Sequence, residues 1–142
     1  RIEAQIFGTI ESMTSQNSAD SILEDADNSA NDDTLNKIRD ISEVAAVEVI
    51  TTAAVHLMSA AAVKCGLANE PDAEELVDLD EARKLINALA ALVVTSAPDI
   101  GNQHARSLRD GLRSLQLAFR EASVIPDALG EGPGEKFTGP VR

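Results

Sequence analysis

The chain has no tryptophan and no tyrosine, and three phenylalanines are its whole aromatic content in 142 residues. Apolar residues still make up 44%, so the hydrophobic mass is Ala, Val, Ile and Leu. That mixture suits close helix packing better than a sheet sandwich. A single cysteine, Cys65, excludes an intramolecular disulfide and fits a reducing compartment, so the expected location is the cytoplasm. Positive charge is scarce: 12 Lys and Arg stand against 24 Asp and Glu, a formal net charge of −12. This balance argues against non-specific nucleic-acid binding and against docking on anionic lipid. Nothing near Arg1 pairs a basic n-region with an apolar h-region, so no signal peptide is expected.

There is one long apolar run, Val44–Val63. It is long enough to span a bilayer, but Glu48 and His56 lie inside it and Ala supplies much of its count. A charge near mid-bilayer costs roughly 2.5–3.5 kcal/mol, which weakly apolar Ala does little to offset. The expectation is a buried core helix and no membrane partner.

Three zones follow. Residues 1–41 read as a mostly disordered acidic arm. Residues 1–43 hold ten acids against three bases, and "TSQNSADSILEDADNSANDD" has no apolar period, so it buries too little to offset its ordering entropy. Ahead of it, Ile2, Ile6, Ile10 and Met13 are spaced like a helix face, and Met13 before Thr-Ser-Gln reads as a natural start.

Residues 42–125 read as the helical core. A first helix is expected from about Ser42, its N-cap, to Cys65, with Gly66 as its stop. Only Glu48, Thr52, His56 and Ser59 interrupt its apolar surface, which predicts a central place in the bundle. A second helix starts at Asp78, paired with Glu81 as in a capping box. Its inward positions are Leu79, Ala82, Leu85 or Ile86, Leu89, Leu92 and Val93, and Pro98 is expected after its end.

The third helix starts between Asp99 and Asn102 and runs to about Ser123, with Ala105, Leu108, Leu112, Leu115, Phe119 and Ala122 inward. Gly111 within it costs about 1 kcal/mol of helix propensity and reads as a point of close helix approach. No strand signal appears. The fold class is therefore all-α, a small three-helix bundle or helical hairpin unit, self-associating as a dimer. Residues 126–142, rich in Gly and Pro, read as a flexible tail.

Catalytic chemistry finds little to stand on. Cys65 lies at a helix C-terminus, where the dipole raises a thiol pKa, so it reads as a packed small residue. Glu48, Thr52 and His56 share a helix face that His104 approaches, but two histidines and one carboxylate are too few for zinc. They read instead as a hydrogen-bonded polar seam. The run from Asp25 puts Ala30 and Asn36 where a calcium loop needs Gly and Glu. "GEK" lacks the spacing of a phosphate-binding loop. No catalytic, cofactor or metal residue is assigned, and no enzyme is expected.

The binding candidates are cationic. In "HARSLRDGLRSLQLAFRE", Arg106, Arg109, Arg113 and Arg120 fall on one helical stripe. An antiparallel third helix sets Arg113 and Arg120 beside Asp78, Asp80 and Glu81. The stripe is thus a self-paired solvated face, a partner-binding face or an RNA contact. In the tail, Lys136, Phe137 and Thr138 resemble a short anchor peptide held between Gly and Pro.

"VEVITTAAVHLMSAAAVKCGL", "VDLDEARKLINALAALV" and "LRDGLRSLQLAFREAS" together resemble a bacterial family, domain of unknown function eighteen-forty-four, over about residues 44–123. "GPGEKFTGPVR" resembles the tail of its actinobacterial branch. The resemblance implies a small cytoplasmic helical protein with no assigned activity, cofactor or catalytic residue. In actinobacteria the family's gene often lies beside that of translation initiation factor three, a hint toward translation that carries no mechanism. The leading expectation is a non-enzymatic protein-interaction module. A ribosome- or RNA-associated factor is the alternative.

Overall fold

The computed structural model describes residues 44–141. The acidic arm, the Ile2–Met13 run and the Ser42 cap lie outside them. Among the described residues the fold is a helical bundle without strands: α1 (Ala46–Lys64), a 3-10 turn (Ala73–Leu76), α2 (Leu79–Ile100), α3 (Asn102–Ala122) and a short α4 (Glu135–Thr138).

Each helix end has a local cause. The N-cap of α1 is Ala45, with no side-chain cap bond. Its C-terminus closes as a Schellman motif, with Leu67 N–H donating to the Ala62 carbonyl and Gly66 N–H to that of Val63. Asp78 caps α2 as expected, accepting from Glu81 N–H at 3.2 Å. Asp78 N–H also donates to the Lys64 carbonyl at 2.9 Å, tying the start of α2 to the end of α1 and making the two helices antiparallel. Pro98 does not follow α2 but stands inside its last turn. The helix continues because Ala97 and Ile100 are buried there. Gly101 alone joins α2 to α3, at φ 86° and ψ 154°, a region essentially closed to side chains with a Cβ.

The core is mostly aliphatic. Ile86, Leu89 and Val93 of α2 meet Leu108, Leu112, Leu115 and Phe119 of α3, while Ala54, Met58, Ala61 and Ala62 of α1 close the third side. Ile86, not Leu85, is the fully buried member of that pair. Ala122, expected inward, is exposed. Gly111 is the close approach expected of it: a Cβ there would stand 2.8 Å from Met58 Cε.

Two expectations are corrected. The central helix is α2, which packs against α1, α3 and α4. α1 is peripheral, and only 28% of its most apolar window is buried. It is long and apolar enough to cross a membrane by length and composition alone, with mean hydropathy 1.6. Its outer face leaves Val49, Ala53 and Ala60 exposed together with Glu48, Thr52 and His56. Those polar residues are therefore a surface row and not a core seam.

The second correction is the tail, which is packed against the bundle rather than loose. Pro133, Gly134, Glu135 and Val141 are buried. Gly134, at φ 74°, sits against α2 so closely that a Cβ would lie 2.8 Å from Ala90 Cβ and 3.1 Å from Gln116 Nε2. Its N–H donates to Asn87 Oδ1 at 2.7 Å, and Gln116 Nε2 donates to the Pro133 carbonyl and Thr138 Oγ1, each at 3.1 Å. Glu135 Oε2 accepts from Gly130 N–H at 2.6 Å, closing the glycine-rich loop on itself.

Candidate functional site

The arginine stripe is geometrically real. At 3.6 residues per turn, Arg106, Arg109, Arg113 and Arg120 fall within about 60° of arc on α3. The fold nevertheless divides them. Arg120 is half-buried and donates to the Asp127 carbonyl at 3.2 Å. Both oxygens of the Asp127 carboxylate in turn accept from the one nitrogen Arg83 Nη2, at 2.9 and 3.1 Å. Arg83 also lies over the Phe119 ring, 4.9 Å from its centroid. Arg120 thus fastens the first residues of the tail, and the acids at the start of α2 are not its partner.

Arg106, Arg109 and Arg113 remain exposed. Among the described residues neither Arg106 nor Arg109 has an ion-pair partner. Arg109 and Arg113 stand at the rim of a cleft of about 360 Å³ between the C-terminal half of α2, the middle of α3 and the tail. Val93 and Leu112 form its buried floor, Val94 and Phe137 its exposed apolar sides, and Val141 closes it beside Gln116. The cleft is near the small end of the range for ligand sites, which run from about 300 to 1,000 Å³.

Two groups of candidates that are far apart in sequence therefore meet. Arg109 and Arg113 of the stripe share one cleft with Phe137 and Thr138 of the tail. Arg106 lies one turn beyond it, and Lys136 faces outward with its ammonium 5.0 Å from the Phe137 ring centroid. Sequence reasoning missed the cleft's Gln116, Pro140 and Val141. Gln116 did carry a signal: it is a polar side chain within the buried face of α3, and buried amides need partners.

Guanidinium groups offer forked donors matched to carboxylates, and the apolar sides accept an aliphatic group. Elsewhere, burial pushes the Cys65 thiol up to about 11, which keeps it protonated and unreactive. His56 and His104 are both exposed and on different helices. Among the described residues no three His, Cys, Asp or Glu side chains are grouped to hold a metal ion.

Comparison with protein families places the bundle. Residues 46–121, more than half of the chain, match the family described as Domain of unknown function (DUF1844). The chain belongs to that family. No curated protein and no solved structure is significantly similar to it. The DUF1844 match begins with α1 and ends one residue before the end of α3, so the tail that completes the cleft lies beyond it.

Proposed function

We propose that this DUF1844 protein is a non-enzymatic helical interaction module of the bacterial cytosol, whose contact surface is the cleft bearing Arg109, Arg113, Phe137 and Thr138. The observation that carries this reading is the convergence of two exposed arginines and an exposed aromatic on one concave surface. One helix, α3, holds both arginines, and the docked tail holds the aromatic. The actinobacterial tail likeness belongs to this proposal, since the quoted ending supplies Phe137 and Thr138. A ribosome- or RNA-associated role would use the same arginines. The charge balance counts against it: residues 1–43 take −7 of the net −12, and residues 44–142 still carry −5.

Self-association belongs to the same proposal. The outer face of α1 presents Val49, Ala53 and Ala60 beside Glu48. A second copy covers such a face without burying a charge at mid-bilayer.

The test is a pair of measurements on Arg106→Glu/Arg109→Glu. The thermal midpoint should hold, since exposed substitutions change stability by about 0.5 kcal/mol or less each. Recovery of a protein partner from the native cytosol should be lost through like-charge repulsion. Unchanged recovery removes the cleft from the reading. Recovery of nuclease-sensitive material with a steep salt dependence would move the protein to the RNA class.

A further inference from the structure

The cleft asks for a peptide that is apolar in the middle and acidic at both ends, and the chain carries one. Between residues 14 and 43 the bulky aliphatic side chains are Ile22, Leu23, Leu35, Ile38 and Ile41. Ile22 and Leu23 are adjacent and are bracketed by Asp20 on one side and by Glu24, Asp25 and Asp27 on the other, whereas Ile6 and Phe7, the other adjacent bulky apolar pair before Val44, have only Glu3 and Glu11 as flanking acids and Arg1 close by. Leu35 and Ile38 instead flank Lys37, with Arg39 next in the chain, and those charges would meet Arg109 and Arg113 with repulsion.

We infer that the cleft is a receptor for the chain's own segment Asp20–Asp27, with Ile22 and Leu23 against Val94 and Phe137 and the flanking carboxylates on Arg109 and Arg113. The inference rests on reading the cleft as a peptide-binding surface, and it names the chemistry of what binds there: an acidic peptide with a paired aliphatic anchor.

Reach favours this occupant. The antiparallel packing of α1 and α2 brings Val44 to the end of the bundle where α2 finishes, the same half that supplies Val93 and Val94. α2 is 22 residues long, or about 33 Å at the helical rise per residue. Asp27 precedes Val44 by 17 positions, which sets a fully extended limit near 60 Å. That limit exceeds the whole length of α2, so the segment is long enough to reach the cleft. A tether of this kind sets an effective concentration of about millimolar, so a contact too weak to survive between separate molecules is held in cis. At micromolar protein the arm of a second copy competes at a disadvantage of about a thousandfold.

The test uses the full chain. A spin label goes on Ser21→Cys in a Cys65→Ala background, and amide signals are read by NMR against the reduced, diamagnetic label. The amides of Arg109, Leu112, Arg113, Phe137 and Thr138 should lose most of their intensity. Ile22→Ser/Leu23→Ser should restore it, as should Arg109→Glu, and about 1 M salt should weaken the effect because screening then acts within about 3 Å. Undiminished signals at those amides overturn the inference. So does loss centred on Val49 and Ala53 of α1, or loss that survives the Ile22/Leu23 change. Mixing isotope-labelled chain with spin-labelled, unenriched chain should leave the signals intact, and loss there would assign the arm to a neighbouring copy and overturn docking in cis. If the arm stays away from the cleft while Arg106→Glu/Arg109→Glu still loses a protein partner, the interaction reading stands and only this inference falls.

Discussion

At the scale of single residues, the informative positions are those whose surroundings contradict their chemistry. Cys65 is a nucleophile by type but is buried at the end of α1, with its thiol raised from 9.0 to about 11. The raised value has two consequences. At pH 8 the folded protein should resist a thiol reagent that labels the urea-unfolded chain readily, and rapid labelling of the native state would show that the site opens. The unfolded thiol ionises above about 9 while the folded one stays neutral, so the Cys65 contribution to stability should fade as pH rises from 9 toward 11. Urea midpoints of wild type and Cys65→Ala across that window check the sign. Leu115 is the ordinary case, fully buried on the apolar face of α3. Leu115→Ala should cost about 2–5 kcal/mol in urea unfolding by the transfer-plus-cavity argument, and a loss below about 0.5 kcal/mol would contradict its place in the core.

At the scale of elements, α2 and α3 were readable because their burial follows a helical period and their ends carry local signals. Asp78 caps α2 by accepting from Glu81 N–H three residues on, and Ala105, Leu108, Leu112, Leu115 and Phe119, spaced as an inward face, are buried. α1 misled because an apolar surface says that a helix can be central, not that neighbours exist on every side. The tail misled for a different reason. Its Gly and Pro residues look like a linker when only local preference is considered, whereas here they permit a backbone close enough to touch Ala90 and Gln116. The information for docking resides in Asn87 and Gln116, two amides on the faces that meet the tail. Asn87→Ala leaves the Gly134 N–H without its acceptor and should cost about 1–3 kcal/mol. Thermal unfolding of that variant beside Asn87→Asp, which keeps the acceptor, separates the lost bond from lost volume. Removing residues 126–142 is a harsher change, because it uncovers Ile86, Ala90 and Val93 at once, and it is therefore a poor probe of binding. The cleft was half readable: its charged and aromatic members could be picked out in sequence, but only the docked tail brings them together.

At the scale of the whole molecule, a bundle of this size with an open side on α1 should be completed by association. Sedimentation at increasing concentration should show a dimer that Val49→Glu/Ala53→Glu converts to a monomer, and a monomer for both proteins would leave α1 uncovered and remove self-association from the proposed function. The single-residue joint at Gly101 has a kinetic consequence. Because α2 and α3 turn back on each other through one residue, the contacts beside the joint are short in sequence and later ones, out to Arg83 and Phe119, can add turn by turn, so closing the first of them loses little entropy. The hairpin can therefore form early, while the tail must wait for a finished groove. Amide hydrogen exchange should record that order as two tiers of protection, with Gly134 released by local undocking and the buried turns of α2 only when the whole domain opens.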